Sequence, residues 1–298
     1  MQSIQAHTHA ISGLLLPSHE EVAMISASDD GQVIYWDFMG ESLLRLSFPA
    51  GISCLTLSDD EQQIAMGLRD GSLYLSDFLA NSFHQVLPET GSSLIGVGLL
   101  PKKRLVAALN AEHGTTSSGI NGLKLYDLEN ERPMPIPEQV PHYDAVRSLA
   151  VQSERRLLAW STRNRQLFTW ALTSASARVS NLRSMVRSIA IAHSGGMIAY
   201  SADWKIYTRP WEDMRQSSEI VGHKGIVTSV TFRADDRILL SGSWDETIRL
   251  WDVQNQQEVA RLVPEIGPVS VTAFSKDGLR LAAGSSTGQI IVYDNDYC

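Results

Sequence analysis

Residues 284–288 read Gly-Ser-Ser-Thr-Gly. That is the spacing of a nucleophile elbow, in which a strained strand-to-helix turn lifts a serine hydroxyl into reach of substrate. The chemistry requires a helix after the turn. Residues 289–293 read Gln-Ile-Ile-Val-Tyr, a strand, so the segment is expected to be a hairpin turn. His7 and His9 stand two apart and would share one face of a strand, offering two nitrogens to a metal. No nearby Cys or carboxylate pattern completes the four ligands of a zinc site. Glu112-His113 could do acid–base work, but its setting reads as a solvated loop. The pairs Asp29-Asp30, Asp59-Asp60 and Asp235-Asp236 lack the ligand spacing of a calcium loop. No glycine-rich phosphate cradle precedes a helix. The expectation is no catalytic residue, no cofactor and no metal.

The elements that hold these residues are strands. Val227, Val230 and Phe232 precede Ile238, Leu239 and Leu240, then Ile248 and Leu250. These short apolar or β-branched runs are separated by turn residues. Asp30-Gly31, Asp70-Gly71 and Thr287-Gly288 suit tight hairpins. No segment sustains a helical period, so the chain reads as almost entirely β.

The runs repeat. Taking Trp251-Asp252 as an anchor, the same slot recurs at Trp36-Asp37, Ser76-Asp77, Tyr126-Asp127, Trp170-Ala171, Trp211-Glu212 and Tyr293-Asp294. Successive spacings are 40, 50, 44, 41, 40 and 42 residues. Within residues 222–252 a Gly-His start, a Ser-Gly-Ser-x-Asp turn and a closing Trp-Asp appear together. This stretch resembles a blade of the WD-repeat β-propeller family, and weaker copies cover the rest of the chain. The resemblance implies an all-β, seven-bladed propeller of four-stranded blades. It also implies that His223, Ser241, Asp245 and Trp251 form a hydrogen-bonded chain tying the inner strands of one blade together. His7, Ser26, Asp30 and Trp36 repeat the set in blade 1. Blade 4 keeps His142 and Trp170 but carries Trp160 and Asn164 between them. Blades 2, 3 and 7 lack the set. In blade 5, Asp203 fits the turn slot, yet Trp211 then falls two residues too far along.

Only four residues follow Asp294, too few for a strand. Residues 1–6 are therefore expected to supply the outer strand of the last blade and close the ring, leaving only short, protected edges. Such a ring would take up residues 1–298 as a single domain. All-β folds of this length commonly form one, and 43% hydrophobic content is ample for its core.

The net charge is −8, and Lys102-Lys103-Arg104 is the longest basic run. Nucleic-acid binders present basic surfaces, so that partner class is not expected. The two cysteines, Cys54 and Cys298, make neither a disulfide framework nor a metal cluster. With no signal core and no membrane-length apolar run, a soluble, cytoplasmic protein is expected.

In this family the turn between the second and third strands faces partners. The residue before the turn Asp slot is Asp29, Arg69, Arg163, Trp244 and Ser286 in blades 1, 2, 4, 6 and 7. Trp204 falls in or beside the same turn of blade 5. Trp and Arg are favoured at hot spots, so Trp204 and Trp244 are candidate contacts on one rim. Arg147 and Arg187 each follow a Val at the start of an inner strand. With Arg163 they would make a basic patch suited to acidic peptides. The expected role is a non-catalytic scaffold for proteins or peptides. A channel-based enzyme or small-ligand binder, and a purely structural subunit, are the alternatives. The polar residues 110–121, a candidate binding insertion, and the proline-rich residues 132–141, a candidate edge and crossing, are further irregular features.

Overall fold

The computed structural model describes residues 3–80, 82–101, 104–110, 122–130, 132–137 and 145–294. The insertion at 111–121, with Glu112 and His113, lies outside the described residues, as do His142, Lys102, Lys103, Cys298 and Met1 and Gln2 of the closing strand. Every described element is a β-strand, and all fall into seven four-stranded antiparallel sheets. This is the seven-bladed β-propeller that the repeat implied.

The chain divides into two compact units, Met1–Ile52 with Arg187–Cys298, and Ser53–Val186. The first unit holds blades 1, 5, 6 and 7. Blade 6 is typical: strands Val227–Phe232, Ile238–Ser243, Ile248–Asp252 and Gln257–Leu262 pair in that order. Its second strand is fully buried. That strand, Ile-Leu-Leu-Ser-Gly-Ser, packs apolar residues on both faces against neighbouring sheets. The outer strand is mostly exposed instead, with only Ala260 and Leu262 half-buried. The core lies between successive blades. Leu240, Ile248 and Leu250 of blade 6, for example, pack with Val269, Leu281 and Ile291 of blade 7.

Blade 7 is completed by the N-terminus. Ile4 pairs with Ile290 and Gln5 with Gln289, antiparallel. Ala6 and His7 then both donate backbone N–H groups to the Gly288 carbonyl. Ile4 and Ala6 also join the apolar cluster shared by blades 7 and 1. Hydroxyls stitch adjacent blades: Thr228 to the Val269 carbonyl at 2.8 Å, and Ser270 to the Ile11 carbonyl at 2.6 Å.

The second unit holds blades 2, 3 and 4. Blade 4 consists of Val146–Gln152, Leu157–Thr162, Gln166–Ala171 and Arg178–Asn181. Of the proline-rich stretch, Arg132–Met134 forms the short outer strand of blade 3. Proline is tolerated at such an edge because no neighbour needs its missing N–H. Residues 138–141 of that stretch lie outside the described residues.

Candidate functional site

The polar sets of blades 1 and 6 occupy blade interiors. In blade 6 the His223 Nδ1 lies 2.9 Å from the Asp245 carboxylate and Nε2 lies 2.8 Å from Ser241 Oγ. The Trp251 indole N–H donates to the same hydroxyl at 2.8 Å. A carboxylate only accepts, so the ring proton sits on Nδ1 and Nε2 accepts from Ser241. Each group in the relay is thereby satisfied although His223 and Ser241 are buried. Blade 1 repeats the geometry: His7 to Asp30 at 3.1 Å, His7 to Ser26 at 2.8 Å and Trp36 to Ser26 at 2.9 Å. Gly222 precedes His223 for a steric reason. A Cβ there would meet the Trp251 ring at 2.7 Å.

Burial holds the His7 and His223 pKa values below the ordinary histidine value, more strongly than the paired carboxylates raise them. Burial raises the Asp245 pKa, but hydrogen bonds from Thr247, the Lys224 N–H and His223 outweigh it and hold it well below the usual range. Asp30 behaves likewise: burial is outweighed by the Thr8 N–H, the charge of His7 and the Gln32 N–H. The relays are therefore neutral histidines on ionised aspartates at neutral pH. Blade 6 adds Arg249, only 2% exposed, which pairs with Glu258 at 2.7 Å and Asp245 at 3.4 Å. Family resemblance gives no slot for it, so sequence reading passed over it. Its place one residue before Leu250-Trp251, on an alternating strand, was the available signal.

Blades 4 and 5 fill the same place differently. In blade 4, Trp160 stands where Ser241 stands in blade 6 and stacks on Phe168, centroids 5.0 Å apart. The Trp170 indole donates instead to the Ser174 carbonyl at 3.1 Å. In blade 5 the second and third strands, Met197–Ala202 and Lys205–Pro210, are joined by just Asp203 and Trp204. Asp203 adopts φ 56°, the left-handed geometry of a tight hairpin. Blade 6 uses four residues, 244–247, between Ser243 and Ile248. The shorter turn moves the register by two. Arg209 pairs with Ile198 as Trp251 pairs with Leu239, and Trp211 lies beyond the strand. Trp211 therefore does not occupy the repeat slot from which it was counted. Tyr200 stacks on Tyr207 at 5.3 Å in place of the relay.

Among the described residues, the elbow-like serine, the paired histidines and Asp236 hold structural positions. Ser286, the serine of the apparent elbow, sits in the turn between two strands, Arg280–Ser285 and Gln289–Asp294. His7 uses both ring nitrogens in its relay, and His9 meets the Thr8 hydroxyl. Asp236 accepts the backbone N–H groups of His193 and Ser194, and so caps the turn of the neighbouring blade. Among the described residues, no group of three His, Cys, Asp or Glu could hold a metal. Cys54 is buried, which pushes its thiol up to about 12. Among them, too, no helix is long and apolar enough to cross a membrane.

The rim of blades 5 and 6 is different. Trp204 is 52% exposed and Trp244 is 48% exposed. Their turns are tied to consecutive residues of one segment: the Asp203 carbonyl accepts from the Val227 N–H at 2.8 Å, and the Trp244 N–H donates to the Ile226 carbonyl at 2.9 Å. Arg187, exposed on the first strand of blade 5, lays its guanidinium 5.1 Å from the Trp244 ring centroid. Lys224 is exposed on the loop against the Trp244–Asp245 turn and donates its backbone N–H to Asp245. Arg147 and Arg163 belong to the other unit. Arg147 is half-buried at the bulge opening the first strand of blade 4, and Arg163 is exposed on that blade's turn. The structure thus places Arg187 against Trp244, with Trp204 on the neighbouring turn of the same unit and Arg147 and Arg163 in the second.

A family profile described as "WD domain, G-beta repeat" matches residues 1–37 and 214–252, the two regions that carry complete relays. With seven four-stranded blades and two such relays in hand, the family is decided. The chain is a WD-repeat protein. Periodic tryptophan protein 2 homolog of Dictyostelium discoideum is 20% identical to this WD-repeat protein over 99% of its length, but over 27% of the relative's. Pre-mRNA-processing factor 19 of Oryza sativa is 34% identical over 28% of the chain and 16% of its own length. WD repeat-containing protein 18 of Bos taurus is 53% identical over 16% of the chain and 11% of its own length. The WD-repeat protein therefore spans well under half of each of these relatives.

Proposed function

We propose that this WD-repeat protein is a non-catalytic interaction scaffold that presents the blade 5–6 rim to partner proteins. The reading rests on one observation: two half-exposed tryptophans stand on neighbouring turns, both held by hydrogen bonds to the segment 226–227. Large rigid aromatic side chains contribute most of the energy at protein interfaces. Here the backbone beneath them is already ordered by a strand, so little conformational freedom is lost on binding. The membership in a family of repeat proteins, and relatives in which such repeats form part of longer chains, fit an adaptor role. A cytoplasmic location and the absence of nucleic-acid partners belong to the same proposal.

Affinity capture of the folded protein from lysate of its source, read by mass spectrometry, tests it. The comparison is a Trp204→Ala/Trp244→Ala double variant of equal melting temperature. A stoichiometric partner lost from the variant supports the reading. A partner held equally by both removes the rim from it, and no partner at all removes the scaffold.

A further inference from the structure

Among the described residues, four arginines lie over aromatic rings, and three of them also have a hydrogen-bond acceptor. Arg249 faces Trp251 and binds Glu258 and Asp245. Arg209 faces Tyr200 and donates to the Met214 carbonyl at 2.9 Å. Arg280 faces Phe38 and donates to the Ala23 carbonyl at 3.3 Å. Arg187 faces Trp244 alone: no carboxylate or carbonyl among the described residues accepts from its guanidinium. Its position on the first strand corresponds to Thr228 in blade 6 and Ser270 in blade 7. Those residues are small and spend their hydroxyls on the next blade's backbone. A charged side chain stands here in place of a stitch.

The consequence is a planar cation held over one aromatic ring, with no acceptor among the described residues at its N–H groups. Stacking on an indole orients the guanidinium, so part of the entropy cost of engaging it is already met. Its N–H donors form a fork that matches a carboxylate with two parallel hydrogen bonds. Lys224 adds a second cation, with no ion pair among the described residues, on the loop beside Trp244. In a chain of net charge −8, two cations thus stand beside an exposed aromatic ring, and the turns there also carry Asp203 and Glu246.

We infer that Arg187, stacked on Trp244 and assisted by Lys224, receives a carboxylate of an acidic peptide segment whose apolar residues lie against Trp244 and Trp204. This rests on the scaffold reading and adds the chemistry of the partner to it.

The probe is a fluorescein-labelled octapeptide alternating Glu and Leu, compared with its Gln-Leu counterpart, titrated against the full chain. The glutamate peptide is expected to bind about tenfold more tightly. The preference should vanish at about 1 M salt, where the screening length is roughly 3 Å. Arg187→Gln should abolish the preference, while Arg187→Lys, which keeps the charge without the planar fork, should retain part of it. Lys224→Gln should weaken it to a smaller degree. Equal binding of the two peptides, no binding of either, or a preference unchanged in Arg187→Gln would overturn the inference. Melting temperatures of the three variants separate loss of the contact from loss of the fold. A captured partner lost from the tryptophan double variant but retained by Arg187→Gln would leave the scaffold reading standing and remove only the acidic partner.

Discussion

Blades 5 and 6 are neighbours in one compact unit and solve the same interior problem with different chemistry. Blade 6 joins His223, Ser241, Asp245 and Trp251 in a relay in which one serine hydroxyl serves two partners. Blade 5 stacks Tyr200 on Tyr207 and lays Arg209 over Tyr200. The relay is directional, so each member depends on the others being present and correctly protonated. The stack is held mainly by dispersion and burial and depends on shape. The turns above them differ as well. Four residues cap the relay, with Asp245 turned inward, whereas two suffice above the stack. Both turns carry an exposed tryptophan beyond the interior machinery. The difference teaches that the part of the repeat that stabilises a blade is separable from the part that faces outward.

The largest expected effect that would break this contrast lies at the centre of blade 6. Trp251→Ala should destabilise by about 3–5 kcal/mol, because the indole is almost fully buried and leaves a cavity. Chemical denaturation measures it, and a loss below 1 kcal/mol would mean that the blade can collapse around the hole. Deleting residues 1–6 should also lower the melting temperature, since Ile4 and Gln5 complete the sheet of blade 7. An unchanged melting curve would show that this pairing contributes nothing.

Ser241→Ala should cost about 1–3 kcal/mol, because it leaves both the His223 Nε2 and the Trp251 N–H buried without a partner. Tyr207→Phe in blade 5 removes one hydroxyl but leaves the stacked rings. It should cost about 0.5–1.5 kcal/mol or less. Finding the two substitutions equal would erase the distinction between a relay and a stack.

Acid sharpens the same comparison. His7 and His223 have folded pKa values below the ordinary value of about 6.5. Their contribution is therefore fully present above that pH and is lost as pH falls toward the folded values. Asp30 and Asp245 are depressed as well, so their contribution persists until pH drops below about 3.9 and is lost beneath it. The melting temperature should be level from about pH 8 to pH 7 and decline below about 6.5. Constant melting down to pH 5 would contradict the neutral-histidine relay.

Blades 1 and 6 were legible in the sequence because a relay needs particular polar residues at fixed spacing, and His, Asp and Trp are scarce enough to stand out. The period carried the blade count, and the strand runs carried the all-β class. Blade 5 was only partly legible. Nothing in Tyr200, Tyr207 and Arg209 marks them as a stack until the strand register pairs Tyr200 with Tyr207. The two-residue turn at Asp203-Trp204 hid that register and left Trp211 counted two positions from the true slot. The exposure of Trp204 and Trp244 followed from their turn positions. The Arg187–Trp244 contact did not, because it joins a first strand to the turn of the next blade, a pairing that only the folded backbone creates.

The most direct test of separable parts uses two variants side by side, Ser241→Ala and Trp204→Ala/Trp244→Ala, each measured for melting temperature and for partner capture. The account predicts that Ser241→Ala melts lower but, while folded, retains the partner. The tryptophan variant should melt as the wild type does and lose it. Loss of the partner from folded Ser241→Ala, or its retention by the tryptophan variant, would contradict the account.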